Sequence, residues 1–250
     1  MLTPERHQMI IHLLKTKDVV RLQELVDLTG ASESTIRRDL SELEEKKILK
    51  RVHGGASILH RKLEEPSIQE KVIRHEQEKV AIARFAAGLV QEGDTIYLDA
   101  GTTTYQMVPY LHESIAVVTN SIQIGVELLK RNIRTFLLGG ELKPGTLALV
   151  GPEAIRGIGQ YRFDKCFLGM NSVHDKYGLT TPDPDEAYIK QLALHYSDEK
   201  FVVCDSNKFS QVSFAKVADL DQVTIITNDG LDEDERTKYG KLTQLQVVKS

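Results

Sequence analysis

The sequence predicts an α/β protein in two parts: a small N-terminal module of helices and a hairpin, and a larger domain built on a mostly parallel sheet. Three observations predict this fold. Two short amphipathic helices meet at a tight glycine turn near residue 30. From residue 76 onward, short apolar runs alternate with helical patterns, which is typical of parallel sheets covered by helices. Residues 1–62 carry 12 basic and 9 acidic side chains, whereas the remainder carries 20 and 27.

The composition of the chain indicates whether to expect a membrane span, a secretory signal, disulfide bonds or a cofactor. The 250 residues have a net charge of −4 and no run of eighteen apolar residues, so no membrane span is expected. The N-terminus lacks the apolar core of a signal peptide, which predicts a cytoplasmic protein. Cys166 and Cys204 lie in apolar runs and are expected to be buried free thiols. No histidine or cysteine spacing indicates a metal, and no nucleotide-binding fingerprint is present, so no cofactor is expected.

The N-terminal module is predicted to begin with a helix at Thr3, where a capping residue precedes a proline and an acid. A second helix is predicted to start near residues 20–21 and to end at Gly30, since glycine suits the left-handed conformation after a helix. Only Ala31 then separates this helix from the next one. Two short helices joined in this way predict a helix-turn-helix.

The third helix carries the candidate DNA-binding face. Ser32 can cap this helix, and Ile36, Leu40 and Leu43 recur at the spacing that points into a core. Guanidinium and hydroxyl groups fall on the opposite face, where they suit phosphate oxygens and base edges of a major groove. A solvated helix face would give the same pattern, so both interpretations stay open on this helix alone. The candidate contacts here are Ser32, Ser34, Thr35, Arg37, Arg38 and Ser41.

A β-hairpin is predicted after the third helix, with two short strands around the Gly54–Gly55 turn. A hairpin beside a helix-turn-helix makes a winged helix, here residues 1–57. Cations along the wing would lie beside backbone phosphates and supply affinity that does not depend on DNA sequence. His53 also fits as an ordinary turn residue. The candidate contacts of the wing are Lys50, Arg51, His53 and Gly54.

The module resembles a known family. Residues 31–40 read Ala-Ser-Glu-Ser-Thr-Ile-Arg-Arg-Asp-Leu and residues 49–56 read Leu-Lys-Arg-Val-His-Gly-Gly-Ala, which is similar to the DeoR family of bacterial transcriptional repressors. The resemblance implies a DNA-binding head and a C-terminal sensor domain related to ribose-5-phosphate isomerase-like sugar-phosphate isomerases. With the N-terminal run Met-Leu-Thr-Pro-Glu-Arg-His-Gln, the chain most resembles repressors of fructose operons in Gram-positive bacteria. This implies fructose 1-phosphate as effector, with tagatose and glycerol phosphates left open.

Residues 58–75 are predicted to be a linker, because their charge is mixed and their periodicity is weak. Residues 76–250 form the predicted sensor domain, which begins with a helix from Glu76 to Val90. A strand at Thr95–Asp99 follows, and then a helix that reaches about His112. Further strands are predicted at Ile115–Thr119, Thr135–Leu138, 165–168, 201–204 and 223–226, with a helix at Ser121–Lys130.

Small polar residues follow the predicted strands, and ligands of open parallel sheets bind at the carboxyl ends of strands. Glycine lets a backbone N–H approach an anion, hydroxyl groups donate to phosphate, and Lys208 supplies a positive charge. Asp99 and Asp205 can accept hydrogen bonds from sugar hydroxyls. Turns and helix caps would explain any one loop by itself. The candidate effector-binding residues from strand ends are Asp99, Gly101, Thr102, Thr103, Thr104, Thr119, Asn120, Ser121, Gly139, Gly140, Gly169, Asn171, Asp205 and Lys208.

The family resemblance adds to this set. It implies that the loops Gly101–Thr104 and Asn120–Ser121 hold phosphate, and it extends to the run Gly178-Leu-Thr180-Thr-Pro. It also points to Glu186 and Lys190, which lie four residues apart and therefore share a helix face. They could reach the sugar or each other, and a surface ion pair would explain them equally well. Thr180, Glu186 and Lys190 complete the predicted site.

Together these features predict a repressor of a sugar-utilisation operon. It would bind double-stranded operator DNA as a homo-oligomer, a dimer or tetramer, and a phosphorylated sugar would release it. The alternative is a sugar-phosphate isomerase-like enzyme fused to a DNA-binding head. Isomerisation needs a positioned acid–base group, and Glu186 could serve. Residues 169–173 contain no carboxylate where, by the same resemblance, the isomerases carry acids, which favours sensing over catalysis.

Overall fold

The first of two structural units carries the predicted winged helix-turn-helix. A computed structural model describes residues 2–17, 19–52, 54–58, 62–63, 65 and 67–250. The chain divides into the units Met1–Arg61 and Lys62–Ser250. The described part of the first unit contains α1 (Thr3–Lys17), β1 (Val19–Arg21), α2 (Leu22–Thr29), α3 (Glu33–Glu45), β2 (Leu49–Val52) and β3 (Gly55–Ile58).

The turn between α2 and α3 forms as predicted. Gly30 ends α2 in the left-handed conformation, with φ of 67°. Ser32 caps α3, because its Oγ accepts a hydrogen bond from the backbone N of Thr35 at 3.3 Å. Ile36 and Leu40 are buried on the inner side of α3. The predicted helical face and its core side are therefore confirmed.

The wing contains one strand more than the sequence predicts. Strands β2 and β3 form the expected antiparallel hairpin, and β1 pairs with β3 on the other side. The sequence pattern instead placed the start of the second helix in β1. A glycine at position 55 makes this pairing possible, since a Cβ there would lie 2.1 Å from the backbone O of Val20.

A buried ion pair connects α1 to α3. Asp39 is 2% exposed and accepts hydrogen bonds from Arg6 Nε at 2.5 Å and from Arg6 Nη2 at 2.9 Å. His7 Nε2 lies 3.2 Å from the same carboxylate. Burial raises the pKa of Asp39, but the hydrogen bonds and charge of Arg6 outweigh burial and leave that pKa below its ordinary value. Local sequence pattern carries no signal for this contact, because its partners lie 33 residues apart.

We expect the variant Asp39→Asn to weaken the first unit, since it replaces the buried carboxylate that pairs with the Arg6 guanidinium by a neutral amide. The melting temperature of this unit should fall by on the order of 5 °C. The loss should be full at neutral pH and should shrink as pH falls below about 4, because protonation of Asp39 removes the same attraction from the wild type. Circular dichroism melts between pH 3 and pH 7 measure both effects. An unchanged melting temperature at pH 7 contradicts the assignment.

The second unit alternates strands and helices. In chain order, its described elements are α4 (Ile68–Ile73), α5 (Glu76–Ala87), β4 (Thr95–Leu98), α6 (Thr102–Tyr105), β5 (Ala116–Thr119), α7 (Ile122–Lys130), β6 (Arg134–Leu137), β7 (Glu141–Leu142), β8 (Leu149–Val150), α8 (Pro152–Ile158), β9 (Phe163–Gly169), β10 (Ser172–His174), β11 (Gly178–Thr181), α9 (Pro184–His195), β12 (Ser197–Val203), β13 (Ala215–Ala218), β14 (Thr224–Asn228), α10 (Glu233–Gly240) and β15 (Gln244–Val248). Short 3₁₀ turns lie at Val108–Tyr110, Ser206–Lys208 and Leu220–Gln222.

The predicted parallel sheet is confirmed. Seven strands pair in parallel in the order β15-β14-β12-β9-β4-β5-β6. Along the chain, β5 and β6 are added to one side of β4, and β9 then pairs with the other side of β4. The strand order therefore reverses between β4 and β9. At such a point the loops at the carboxyl ends of the two strands diverge and leave a crevice.

Smaller sheets accompany the main one. Strands β10, β11 and β13 form an antiparallel sheet, and β7 pairs with β8. The sequence pattern predicted neither, because these strands are only two to four residues long. The predicted helix up to about His112 is also wrong. Helix α6 ends at Tyr105, and a separate 3₁₀ turn with Pro109 follows, since proline cannot donate a helical hydrogen bond.

The stretch predicted as a linker, residues 58–75, contains helix α4. Ser67 caps α4 in a capping box with Glu70, and the backbone N of Ile68 donates to the carbonyl of Gly145 at 2.9 Å. This helix thus joins the second unit, while the linker's limits stay a prediction.

Both cysteines are buried and unpaired, as predicted. Burial raises the pKa of Cys166 to about 11 and raises that of Cys204 further still. Nowhere in the described part of the chain is a helix both long and apolar enough to cross a lipid bilayer.

Candidate functional site

The outer face of α3 presents the predicted arginines to solvent. The side chain of Arg38 is 83% exposed, and its Nε lies 3.3 Å from an oxygen of Glu42. Arg37 donates to Glu33 at 2.5 Å. Exposed pairs between residues four apart contribute only about 0.3–0.5 kcal/mol, so both guanidinium groups can exchange these carboxylates for phosphate.

The wing contacts the same helix. Arg51 donates from Nη1 to Ser41 Oγ at 2.9 Å, and its backbone N donates to Glu44 at 2.8 Å. Lys50 is exposed, and Gly54 has a φ of 76°, which suits the turn of the hairpin. His53 lies outside the described residues.

Near the start of α3, the candidate hydroxyl groups form a small cluster. Ser32 Oγ lies 3.0 Å from Ser34 Oγ and 2.8 Å from Thr35 Oγ1. Ser32 and Ser34 are exposed, while Thr35 is half-buried. The hydroxyl groups are thus gathered at the exposed N-terminal end of the helix.

In the second unit, a cleft opens where the strand order reverses. The loops after β4, β9 and β12 meet there, and helices α4, α5 and α9 add charged side chains. The cleft encloses about 650 Å³, counting the part open to solvent. The predicted effector residues that line the cleft are Gly101, Thr102, Thr103, Gly169, Asn171, Glu186, Lys190, Asp205 and Lys208.

A buried ion pair lies beneath the cleft. Lys190 Nζ contacts the carboxylate of Asp99 and donates to the carbonyl of Gly169 at 3.0 Å. Asp99 in turn accepts a hydrogen bond from the backbone N of Gly169 at 3.1 Å. Asp99 is 2% exposed and Lys190 is 3% exposed. Burial raises the pKa of Asp99, and Lys190 opposes this rise only in part.

Glu186 and Lys190 share a face of α9, yet they are neither a surface pair nor each other's partners. Glu186 is buried and accepts from Lys143 Nζ at 2.8 Å and from Thr146 Oγ1 at 2.8 Å. Lys190 pairs with Asp99 instead. Because each side chain has a distant partner, the spacing of four residues predicted their common face but not their contacts.

One wall of the cleft is strongly cationic. Lys71, Arg74, Lys79 and Lys208 all line it. Lys79 is 4% exposed and donates to the carbonyl of Lys71, and it forms no ion pair within the described residues. Burial, together with Lys208, Lys71 and Arg74, lowers the pKa of Lys79 to about 8, against the attraction of Asp205. A buried lysine among other cations makes this wall favourable for an anion.

Some predicted effector residues have structural contacts and do not line the cleft. Asn120 Oδ1 accepts from the backbone N of Ala100 at 2.9 Å, and Ser121 caps α7. Thr180 Oγ1 accepts from the backbone N of Ser213 at 2.8 Å. These polar atoms satisfy buried backbone groups, which is the ordinary role of such residues in turns. The residues outside the lining are Asp99, Thr104, Thr119, Asn120, Ser121, Gly139, Gly140 and Thr180.

Of the four cations on the basic wall of the cleft, the sequence predicted Lys208 but not the other three. The basic residues at positions 71, 74, 75 and 79 recur at helical spacing, and this stripe was the available signal. Acids between these residues, such as Glu70 and Glu76, make the overall charge of the segment mixed, so the basic stripe was not recognised. The lining residues not predicted are Glu65, Lys71, Arg74, His75, Lys79, Ala100, Met170, Val203 and Cys204.

Fold and site define a helix-turn-helix regulator with a ligand-binding body. Residues 6–62 match the DeoR-like helix-turn-helix domain, and residues 74–230 match the DeoR C terminal sensor domain. The chain belongs to the DeoR family of transcriptional regulators, and it is a regulator rather than an enzyme.

Relatives align over nearly the whole chain. The chain is 48% identical over 251 residues to the uncharacterized HTH-type transcriptional regulator FruR of Bacillus subtilis (strain 168), covering 100% of both. It is 36% identical to a lactose phosphotransferase system repressor of Staphylococcus epidermidis, covering 94% of this chain and 95% of that one. It is also 36% identical to the regulator GlpR of Haloferax volcanii, covering 94% of each.

Among solved structures, ribose 5-phosphate isomerase A from Methanocaldococcus jannaschii overlaps with a TM-score of 0.41 at 18% identity. The overlap covers 54% of each chain.

We expect the wild type to be less stable relative to the variant Lys79→Met at pH 7 than at pH 10.5, by on the order of 3 kcal/mol, because charging Lys79 among other cations is costly. The unfolded lysine binds its proton up to about pH 10.5, and the folded one only up to about 8. Wild-type stability should therefore rise relative to the variant between these pH values. Urea unfolding at several pH values measures the difference, and a gap that stays constant from pH 7 to pH 10 contradicts the buried charge.

Proposed function

We propose that the protein represses a sugar-utilisation operon and that a phosphorylated sugar releases it from operator DNA. The observation that carries the sensor half is the composition of the cleft, whose lining combines carboxylates and an amide with a cluster of cations. Asp205 and Asn171 offer acceptors and donors for sugar hydroxyls, and Lys79 and Lys208 offer charge for a phosphate. A sugar phosphate carries both hydroxyl groups and a phosphate, so it matches both kinds of lining residue.

The effector we propose is fructose 1-phosphate. The resemblance of the N-terminal run to repressors of fructose operons supports this choice of sugar. Relatives named as lactose phosphotransferase system repressors support the broader class, since such transport systems deliver sugars in phosphorylated form.

The DNA-binding half rests on α3 and the wing. Arg37 and Arg38 stand on the exposed side of a helix whose inner side is buried, and Arg51 brings a third guanidinium group beside Ser41. We propose that α3 enters the major groove and that the wing follows the backbone. Because helix-turn-helix proteins usually read two half-sites, we propose a homo-oligomer, a dimer or tetramer, located in the compartment that holds the DNA.

We expect Arg37→Ala and Arg38→Ala each to weaken operator binding about tenfold or more, as the loss of a good base or phosphate contact would. Gel-shift titration against the promoter of the protein's own operon measures this. Arg156→Ala is the matched control, because Arg156 is also an exposed arginine paired with an acid of its own helix, in α8. If both α3 variants bind the operator with wild-type affinity, the assignment of α3 to the DNA interface is wrong.

We expect fructose 1-phosphate to raise the melting temperature of the second unit, because a ligand that binds only the folded state stabilises it. Lys208→Ala should reduce this rise strongly, since it removes a charge from the cationic wall. Lys241→Ala, an exposed lysine of the same unit, is the control. Parallel melts with fructose and with other sugar phosphates identify the effector. If no sugar phosphate shifts the melt, the sensor assignment fails.

A further inference from the structure

One carboxylate in the cleft comes from the segment that follows the first unit. Glu65 lies four residues after Arg61, where that unit ends, and its side chain is 11% exposed. It accepts hydrogen bonds from Lys71 Nζ at 2.6 Å, Lys143 Nζ at 2.9 Å and Asn171 Nδ2 at 3.2 Å. Three donors around one anionic group make a site that a phosphate oxyanion would satisfy equally well.

From these contacts we infer that Glu65 occupies the effector's anion site in the unliganded protein and that the effector's phosphate displaces it. The inference rests on the proposed function of the cleft. It adds a way in which effector binding in the cleft would change the segment that follows the first unit. Glu65 lines the cleft together with Gly101, Thr102 and Lys190, so its carboxylate and a bound sugar phosphate share the same space.

The partners of Glu65 can tolerate the exchange. Lys143 keeps two other carboxylates, Asp183 at 3.0 Å and Glu186 at 2.8 Å. Asn171 keeps the hydrogen bond that its Oδ1 accepts from Thr181, and its Nδ2 becomes available to the ligand.

Lys71 alone depends on Glu65, because no other described carboxylate pairs with it. Phosphate would take over this charge. Burial raises the pKa of Glu65, but Lys71 and Lys143 lower it to about 2, so the competing group is ionised at neutral pH.

Displacement of Glu65 loosens a defined segment. Among the described residues between 62 and 68, several contact the rest of the second unit. The backbone N of Phe214 donates to the carbonyl of Lys62 at 3.1 Å, the backbone N of Ile68 donates to Gly145 at 2.9 Å, and Glu65 accepts from Lys143 and Asn171. When phosphate replaces Glu65, the segment loses the charged contact among these and keeps the backbone hydrogen bonds. The effector then binds only the protein in which Glu65 has left the anion site. Its apparent affinity equals the intrinsic affinity multiplied by the fraction of protein in that state.

The test compares the full-length wild type with Glu65→Gln and with Glu76→Gln as the matched control, because Glu76 is an exposed acid of α5 that does not line the cleft. Calorimetric titration with fructose 1-phosphate and with inorganic phosphate gives the dissociation constants. Glu65→Gln should bind both probes about tenfold more tightly, and Glu76→Gln should bind as the wild type does. Equal or weaker binding by Glu65→Gln overturns the inference and leaves the proposed function standing. Absence of binding in both proteins overturns the proposed function, and the inference with it.

Hydrogen exchange on the wild type supplies a test that needs no variant. Addition of fructose 1-phosphate should slow exchange of the amides at Gly101–Thr103 and should speed exchange at Ser67 and Ile68, the described amides that follow Glu65. Ligands ordinarily protect the elements they touch, so faster exchange at Ser67 and Ile68 is specific to release of Glu65. Slower exchange at these two amides overturns the inference even where calorimetry shows binding.

Discussion

The second unit depends on one ion pair, between Asp99 and Lys190, at the point where the strand order reverses. A crevice at such a point exposes the ends of β4 and β9 unless something connects them. Asp99 follows β4, binds the backbone of Gly169 at the end of β9, and contacts Lys190 of α9. Burying two charges is costly, and truncating one partner leaves the other without compensation. The pair thus joins two strands and a helix under the cleft, and it fixes the loop from which Gly101 and Thr102 present their backbone.

The sequence predicted the parts of the fold that depend on local pattern. The strand Thr95–Leu98 and its neighbours read as continuous apolar runs, because parallel strands are buried on both faces. The sheet β10-β11-β13 escaped prediction, since a strand such as Gly178–Thr181 has the composition of a loop. The candidate site likewise contains residues that the sequence predicted and contacts that it did not. Asp99 and Lys190 were both predicted, but their contact spans 91 residues, which no spacing rule can supply. Lys79 was missed because acids surround it in the sequence.

In the first unit, stability and candidate binding residues occupy opposite sides of one helix. The inner side of α3 holds Ile36, Leu40 and Asp39, and the outer side holds two arginines paired with Glu33 and Glu42. These acids keep the guanidinium groups extended along the helix before DNA arrives. They also repel phosphate. In the proposed complex, a duplex therefore binds each arginine only after that arginine leaves its carboxylate, which would favour correctly placed base contacts over general attraction to the backbone.

The buried thiols have a practical consequence. Cys204 lines the cleft and Cys166 lies in β9, and burial keeps both protonated at neutral pH. A protonated, enclosed thiol reacts slowly with maleimides and disulfides. A single reporter cysteine introduced on the surface can therefore be labelled with a fluorophore while both native residues stay in place. Such a fluorophore tests optically, in an otherwise unaltered protein, whether ligand binding displaces Glu65 as proposed.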